Sequence, residues 1–206
     1  MQVFKFGGAS VKDANGVKNL SSVLQKVGYK NTLIVVSAMG KTTNAIEVII
    51  NNYLNNKGEL QSSIHDVIKY HNEILLDLFS NERHPVFKKV SSLFEELKSF
   101  FDRNKSQDYN FIYDQEIGYG ELISTTIISE YLNETGIKNN WLDAREYIKT
   151  DNYYRRANVN WDETQQQISS KFDKSILNIT QGFIGSDSNN FTTTLGREGS
   201  DYTAAI

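Results

Sequence analysis

The sequence predicts an α/β fold, and three observations carry that prediction. A short apolar run at residues 3–6 is followed by two glycines and then by a helical pattern. A continuous, β-branched apolar run at 32–37 comes next, which is how a strand buried on both faces reads. Strand-like runs return at 140–143 and 175–181, with helical periodicity before each of them. Strand, helix, strand over the first part of the chain makes a βαβ unit, so its two strands should be parallel with a right-handed crossover.

In order, residues 3–6 form the first strand. A helix begins near Asp13, with Val17, Leu20, Val23, Leu24 and Val27 at helical spacing and Gly28 as its stop. After the strand at 32–37, Ser37-Ala38-Met39-Gly40-Lys41-Thr42-Thr43-Asn44 is a loop. Gly40-Lys41-Thr42 imitates the tail of a P-loop, but a P-loop needs a glycine five residues before Gly40, and Val35 stands there. The hydroxyls of Ser37, Thr42 and Thr43 lie where a parallel strand ends, the usual ligand edge of such a sheet. Capping of the next helix by Thr42 or Thr43 is the competing role.

From about 45 to 105 the pattern is helical, in three apolar stripes punctuated by Gly58 and Pro85, and reads as an insertion or lid. His65, His71 and His84 fall here without carboxylates at metal-ligand spacing and read as ordinary helical or loop residues. Residues 104–108 are a polar loop. Gly118-Tyr119-Gly120-Glu121 opens a helix that ends at Gly136. Residues 150–159 read as extended loop and 161–172 as helix. After the strand at 175–181, residues 186–190 form a hairpin turn, and Gly199-Ser200-Asp201 leads into a last helix that begins near residue 202.

Composition narrows the function. The 206 residues carry 22 Lys+Arg against 25 Asp+Glu, net −3, with no basic block, so nucleic acid is not the expected partner. Cysteine is absent, which removes disulfides, thiolate metal sites and cysteine nucleophiles and suits a cytoplasmic protein. The longest aliphatic run, 33–36, is far too short to cross a membrane, and no signal peptide is expected.

Lys5-Phe6-Gly7-Gly8-Ala9-Ser10 is the stretch with the clearest chemistry. Two glycines let backbone N–H groups approach a ligand, a helix N-terminus behind them adds partial positive charge, and Lys5 adds a full one. Together they suit a phosphate. A tight turn beside a solvated lysine is the competing reading.

That stretch resembles the Lys-Phe-Gly-Gly-Thr-Ser opening of aspartate kinases, of the amino-acid kinase family. Five further segments agree in the same order: Val36-Ser37-Ala38 with Thr43-Asn44; Gly120-Glu121-Leu122; Leu142-Asp143-Ala144-Arg145-Glu146; Thr180-Gln181-Gly182-Phe183-Ile184-Gly185; and the long run from Thr192 to Ala205 through Gly196-Arg197-Glu198-Gly199-Ser200-Asp201. Two residues depart from the pattern. Ala9 replaces a usual Thr, and Glu198 replaces a usual Gly.

The resemblance implies the amino-acid kinase fold, a mostly parallel sheet between helices. It implies transfer of the ATP γ-phosphoryl group to the side-chain carboxylate of L-aspartate, giving 4-phospho-L-aspartate, the entry to lysine, threonine and methionine synthesis. Lys5, Gly7, Gly8 and Ser10 would face the ATP phosphates, with Mg²⁺ bound along with the nucleotide. Arg197 would take the substrate's α-carboxylate. Glu121 and Asp201 would take its ammonium or position Lys5 and Arg197, Lys5 and Asp201 being the catalytic pair. Thr43, Gly199 and Ser200 would complete the substrate site. Ser37 and Asp143 are weaker candidates. The family's adenosine-binding segment and its ACT domains are not in the sequence, so residues 1–206 are expected to be the substrate-binding part of a catalytic domain, with little turnover alone. Family members are usually dimers or larger. Two rival readings are a kinase for another amino acid and a non-catalytic amino-acid-binding module.

Overall fold

The computed structural model describes residues 1–56, 58–171 and 173–206. Strand β1 (Gln2–Phe6) leads through a 3-10 turn (Gly8–Val11) into helix α1 (Ala14–Val27) and strand β2 (Thr32–Val36). Helices α2 (Thr42–Leu54), α3 (Leu60–Leu78), α4 (Pro85–Arg103), α5 (Tyr109–Ile117) and α6 (Tyr119–Glu134) follow, then β3 (Asn139–Leu142), α7 (Ala144–Tyr147) and α8 (Trp161–Lys171). Strands β4 (Leu177–Gln181), β5 (Ile184–Ser186) and β6 (Thr192–Thr194) and helix α9 (Gly199–Ala205) complete the described structure. The expected end of α8 at Phe172 lies outside the described residues.

The main sheet has the order β1-β2-β4-β3 and every pair in it is parallel. Strands β5 and β6 form a separate antiparallel hairpin around the expected turn. Parallel pairing in the main sheet brings the C-terminal ends of β1, β2 and β4 to one edge, where the glycine loop, the serine–threonine loop and Gly182 meet.

The helices form where caps and apolar stripes agree. Asp13 caps α1 by accepting the Gly16 N–H at 2.8 Å, and Gly28 closes it at φ +82°. The buried stripe of α1 ends at Leu24, since Val27 is exposed. Pro85, the only proline, occupies the first turn of α4, where its missing N–H costs nothing. The stripes of α2, α3 and α4 join one buried cluster with Ile34, Val36 and Ile179 of the sheet. Of the histidines, His65 is exposed, His84 caps α4 and His71 is buried with Nδ1 2.8 Å from the Val67 carbonyl.

Helix α6 runs through the centre and is buried nearly all round, from Gly120 to Leu132. Thr125 ties it to the sheet: its Oγ1 accepts from Trp141 Nε1 at 3.0 Å and from Gln181 Nε2 at 2.7 Å. A Cβ on Gly120 would lie 2.9 Å from that of Ala38, so glycine is what lets α6 close on the loop after β2. That contact places Glu121 behind the loop.

Candidate functional site

The loops at the sheet edge are bonded to one another. Ser37 N–H donates to the Phe6 carbonyl, Gly40 N–H to the Gly8 carbonyl and Gly182 N–H to the Val36 carbonyl, each at 3.0 Å. A side chain on Gly8 would meet the Ala38 carbonyl at 2.6 Å. Its glycine therefore serves close backbone packing of the two loops. A Cβ on Gly7 would lie 3.6 Å from Lys5 Nζ, so Gly7 lies beside the ammonium. Ser10 is exposed in the 3-10 turn and donates its N–H to the Gly7 carbonyl at 2.9 Å. The helix expected to begin near Asp13 is present behind this loop, with the 3-10 turn between them. Helix α1 starts only at Ala14, beyond that turn, and Asp13 already occupies the Gly16 N–H in its first turn.

A cleft of about 840 Å³ opens beside these loops. Lys5, Thr43, Glu121, Arg197, Gly199, Ser200 and Asp201 all line it, and so does Ser37. Gly7, Gly8 and Ser10 are not among its lining residues. Asp143 is also elsewhere, capping α7 and paired with Arg145 at 2.6 Å. Thr42, not Thr43, is drawn back into the loop, donating its hydroxyl to the Met39 carbonyl at 2.7 Å.

Lys5 Nζ and Asp201 Oδ2 lie 2.9 Å apart across the cleft mouth. Ser37 Oγ donates to Ser200 Oγ at 3.0 Å. Helix α9 is clamped in place: Phe183 N–H donates to Thr203 Oγ1 at 3.0 Å, and a Cβ on Gly182 would lie 2.5 Å from that of Ser200. Phe183 itself lines the cleft at φ +74°, a left-handed conformation unusual for a bulky residue.

Glu121 is the only buried acid in the cleft lining among the described residues, 3 % exposed. Its Oε1 accepts the Ala38 N–H at 3.2 Å, and its Oε2 has no partner among the described residues. Burial pushes this carboxyl up to about 8, against the pull of the Ala38 hydrogen bond. It is a buried acid at the cleft wall with one oxygen left without a partner among the described residues.

Glu198 also lines the cleft, and its backbone is left-handed, φ +58°. Glycine enters this region freely and other residues do so at a cost of about 1–2 kcal/mol. Glu198→Gly is therefore expected to raise the melting temperature by about 2–8 °C, as a thermal scan would measure. A fall in that temperature would mean that the glutamate side chain stabilises the turn.

The outer wall was not anticipated. It consists of Asp108, Asn110 and Tyr113 from α5 and its cap, with 152–156 opposite. Asp114, fully buried, joins the two sides. It accepts Arg155 N–H at 2.9 Å, Thr194 N–H at 2.9 Å and Thr194 Oγ1 at 2.8 Å. Burial raises its carboxyl to about 6 in spite of these bonds. The available signal was the run Tyr153-Tyr154-Arg155-Arg156, two aromatic and two cationic residues within a polar loop.

A parallel α/β sheet whose strand-end cleft gathers a lysine–aspartate pair, arginines and one buried carboxylate defines a small-molecule site for a charged ligand. Comparison with known proteins gives the family. The model of the amino acid kinase family matches residues 1–206, and the chain belongs to that family. It is 29 % identical over 211 residues to lysine-sensitive aspartokinase 3 of Escherichia coli, covering 99 % of this chain and 45 % of that protein. It is 30 % identical over 213 residues to the E. coli bifunctional aspartokinase/homoserine dehydrogenase 2, covering 98 % of this chain and 25 % of that protein. The crystal structure of E. coli aspartokinase III in complex with aspartate and ADP superimposes with a TM-score of 0.87 at 28 % identity, over 100 % of this chain and 45 % of that one. The chain thus spans less than half the length of these relatives. Among the described residues no helix is long and apolar enough to cross a membrane.

Proposed function

We propose that this chain forms the amino-acid-binding part of an aspartate kinase active site. The observation that carries the reading is the convergence of Lys5–Asp201, Arg197 and Glu121 on one cleft. The aspartate and ADP bound by a solved structure of the same fold support it. In the reaction, an oxygen of the L-aspartate side-chain carboxylate attacks the γ-phosphorus of ATP, the bond to the bridging oxygen breaks, and 4-phospho-L-aspartate and ADP leave. The nucleophile is ionised at neutral pH, so no general base is required. The barrier lies in bringing one anion up to another, which fixed cations and aligned donors lower.

Each residue then has a task. Lys5 meets the transferring phosphoryl group. Asp201 holds Lys5 in position until the nucleotide arrives. The Arg197 guanidinium suits the planar α-carboxylate. Glu121, ionising, takes the ammonium, and Thr43 and Ser200 offer hydroxyls alongside. Mg²⁺ would come with the nucleotide and screen its phosphate charge. The absence of cysteine suits a reducing cytoplasm.

The test is a calorimetric titration of the chain with L-aspartate and with L-glutamate. Aspartate is expected to bind at least ten-fold more tightly, because one added methylene moves the second carboxylate off the line to Lys5. Equal affinity would favour a kinase of broader acidic specificity, and no binding of either would sink the reading.

A further inference from the structure

Arg155 has a left-handed backbone, φ +68°, which a non-glycine residue keeps only where its surroundings over-determine it. Its surroundings do so from two sides. The Arg155 N–H is held at 2.9 Å by the buried Asp114 carboxylate, which also grips Thr194. Its guanidinium carbon lies 4.5 Å from the centre of the Tyr113 ring and 5.3 Å from that of Tyr109. The Tyr109 hydroxyl is anchored in turn on Glu47 Oε1 at 2.9 Å.

Stacking on a ring face fixes the plane of a guanidinium and leaves its N–H edge available. Among the described residues that edge donates no hydrogen bond. Arg155 and Arg197 line the same cleft. They also hang from touching backbone: Ala157 N–H donates to the Thr194 carbonyl at 2.9 Å, and a Cβ on Gly196 would lie 3.3 Å from the Arg155 carbonyl. A planar, pre-oriented fork lining the same cleft as a second guanidinium is suited to a carboxylate, whose two oxygens offer about four acceptor sites.

We propose that Arg155 is a specificity-determining residue of this cleft, presenting its guanidinium edge, together with that of Arg197, to the α-carboxylate of the amino-acid substrate. The proposal rests on the reading that the cleft takes L-aspartate. It gives the strained backbone at 155 a purpose: the turn aims the side chain across the tyrosines, and Asp114 holds the turn.

The test is an NMR-detected titration of the chain with L-aspartate and with β-alanine, which is aspartate without its α-carboxylate. Arg155→Gly removes the guanidinium at a conformation that glycine prefers, and Arg155→Gln keeps part of the stem. Thermal melts of both variants verify that each is folded at the titration temperature. In both, the Kd for L-aspartate is expected to rise about ten- to a hundred-fold, the range for losing hydrogen bonds to a charged group. The Kd for β-alanine is expected to stay within about two-fold of its original value. An unchanged Kd for L-aspartate, or an equal loss for both ligands, overturns the proposal and leaves the functional reading standing. Failure of the unaltered chain to bind L-aspartate overturns both.

Discussion

Replacing Lys5 by alanine is expected, on the proposed function, to lower kcat of the full-length protein by about 10²–10³, with the KM for aspartate changed far less. Lys5 is the cation at the end of β1, and its ammonium lies 2.9 Å from Asp201. Both partners are open to solvent, so their pairing adds little stability and a triphosphate can take the lysine over. The alanine variant loses that cation and also leaves the Asp201 carboxylate facing the incoming phosphate. The second effect is separable. Asp201→Asn on the alanine background is expected to restore part of the lost rate, because it removes repulsion without returning the cation. A double-mutant cycle on steady-state turnover measures this. Unaltered turnover in Lys5→Ala would remove Lys5 from the mechanism, whereas a full-length protein with no turnover to lose would be a binding module.

Glu121→Gln is expected to weaken L-aspartate binding about 100-fold, since on the proposed reading it removes the buried anion that would take the substrate ammonium. The effect carries a pH signature. In the empty cleft burial holds this carboxyl up to about 8, so it is largely protonated at neutral pH. Ammonium binding requires the ionised form, so affinity in the unaltered chain rises between pH 6 and 8. The glutamine variant loses that rise. Stability runs the other way. A carboxyl raised above its ordinary 4.5 contributes stability that is fully present below that value and lost as pH rises through about 8. Asp114, raised to about 6, has the same sign. His71, held down to about 4 by burial, has the opposite sign, but it acts only below its ordinary 6.5. Above pH 6.5 the carboxyls therefore act without it, and the melting temperature of the ligand-free chain falls toward pH 8.5. A melting temperature flat over that range would show that Glu121 is already ionised when the site is empty.

The strands were the most legible part of the chain. Thr32–Val36 is a continuous apolar or β-branched run because both faces of a parallel strand are covered, and Leu177–Gln181 is buried throughout as well, although it includes the polar Asn178 and Gln181. Helix α5 was missed for a definable reason. Tyr109, Asn110, Phe111, Ile112 and Asp114 are poor intrinsic helix formers, and burial of Asp114 and Glu116 beside Ile112 and Ile117 destroys the amphipathic pattern. Asp108 was its visible start, capping Asn110 N–H at 2.9 Å. At the site, the inner wall followed from motifs that stay local in sequence, Lys5, Thr43, Glu121 and Arg197–Asp201. The outer wall depends on Asp114 reaching Thr194, eighty positions away, and no periodicity records such a bond. Glu198 was noticed only as a departure from a pattern. Its left-handed backbone supplies the physical reason that glycine is the easier residue there.

The Gly40–Gly8 hydrogen bond has a mechanical consequence. It joins the loop after β1 to the loop after β2, and helix α3 braces the joint from outside, with the Tyr70 hydroxyl bonded to the Lys12 carbonyl and packed over Gly40. The loop that follows Lys5 and the loop that precedes Thr43 are therefore joined to each other and to α3. A substitution that tilts α3 is therefore expected to shift the ends of both strands that border the cleft together, so the two loops are not retuned independently through this helix.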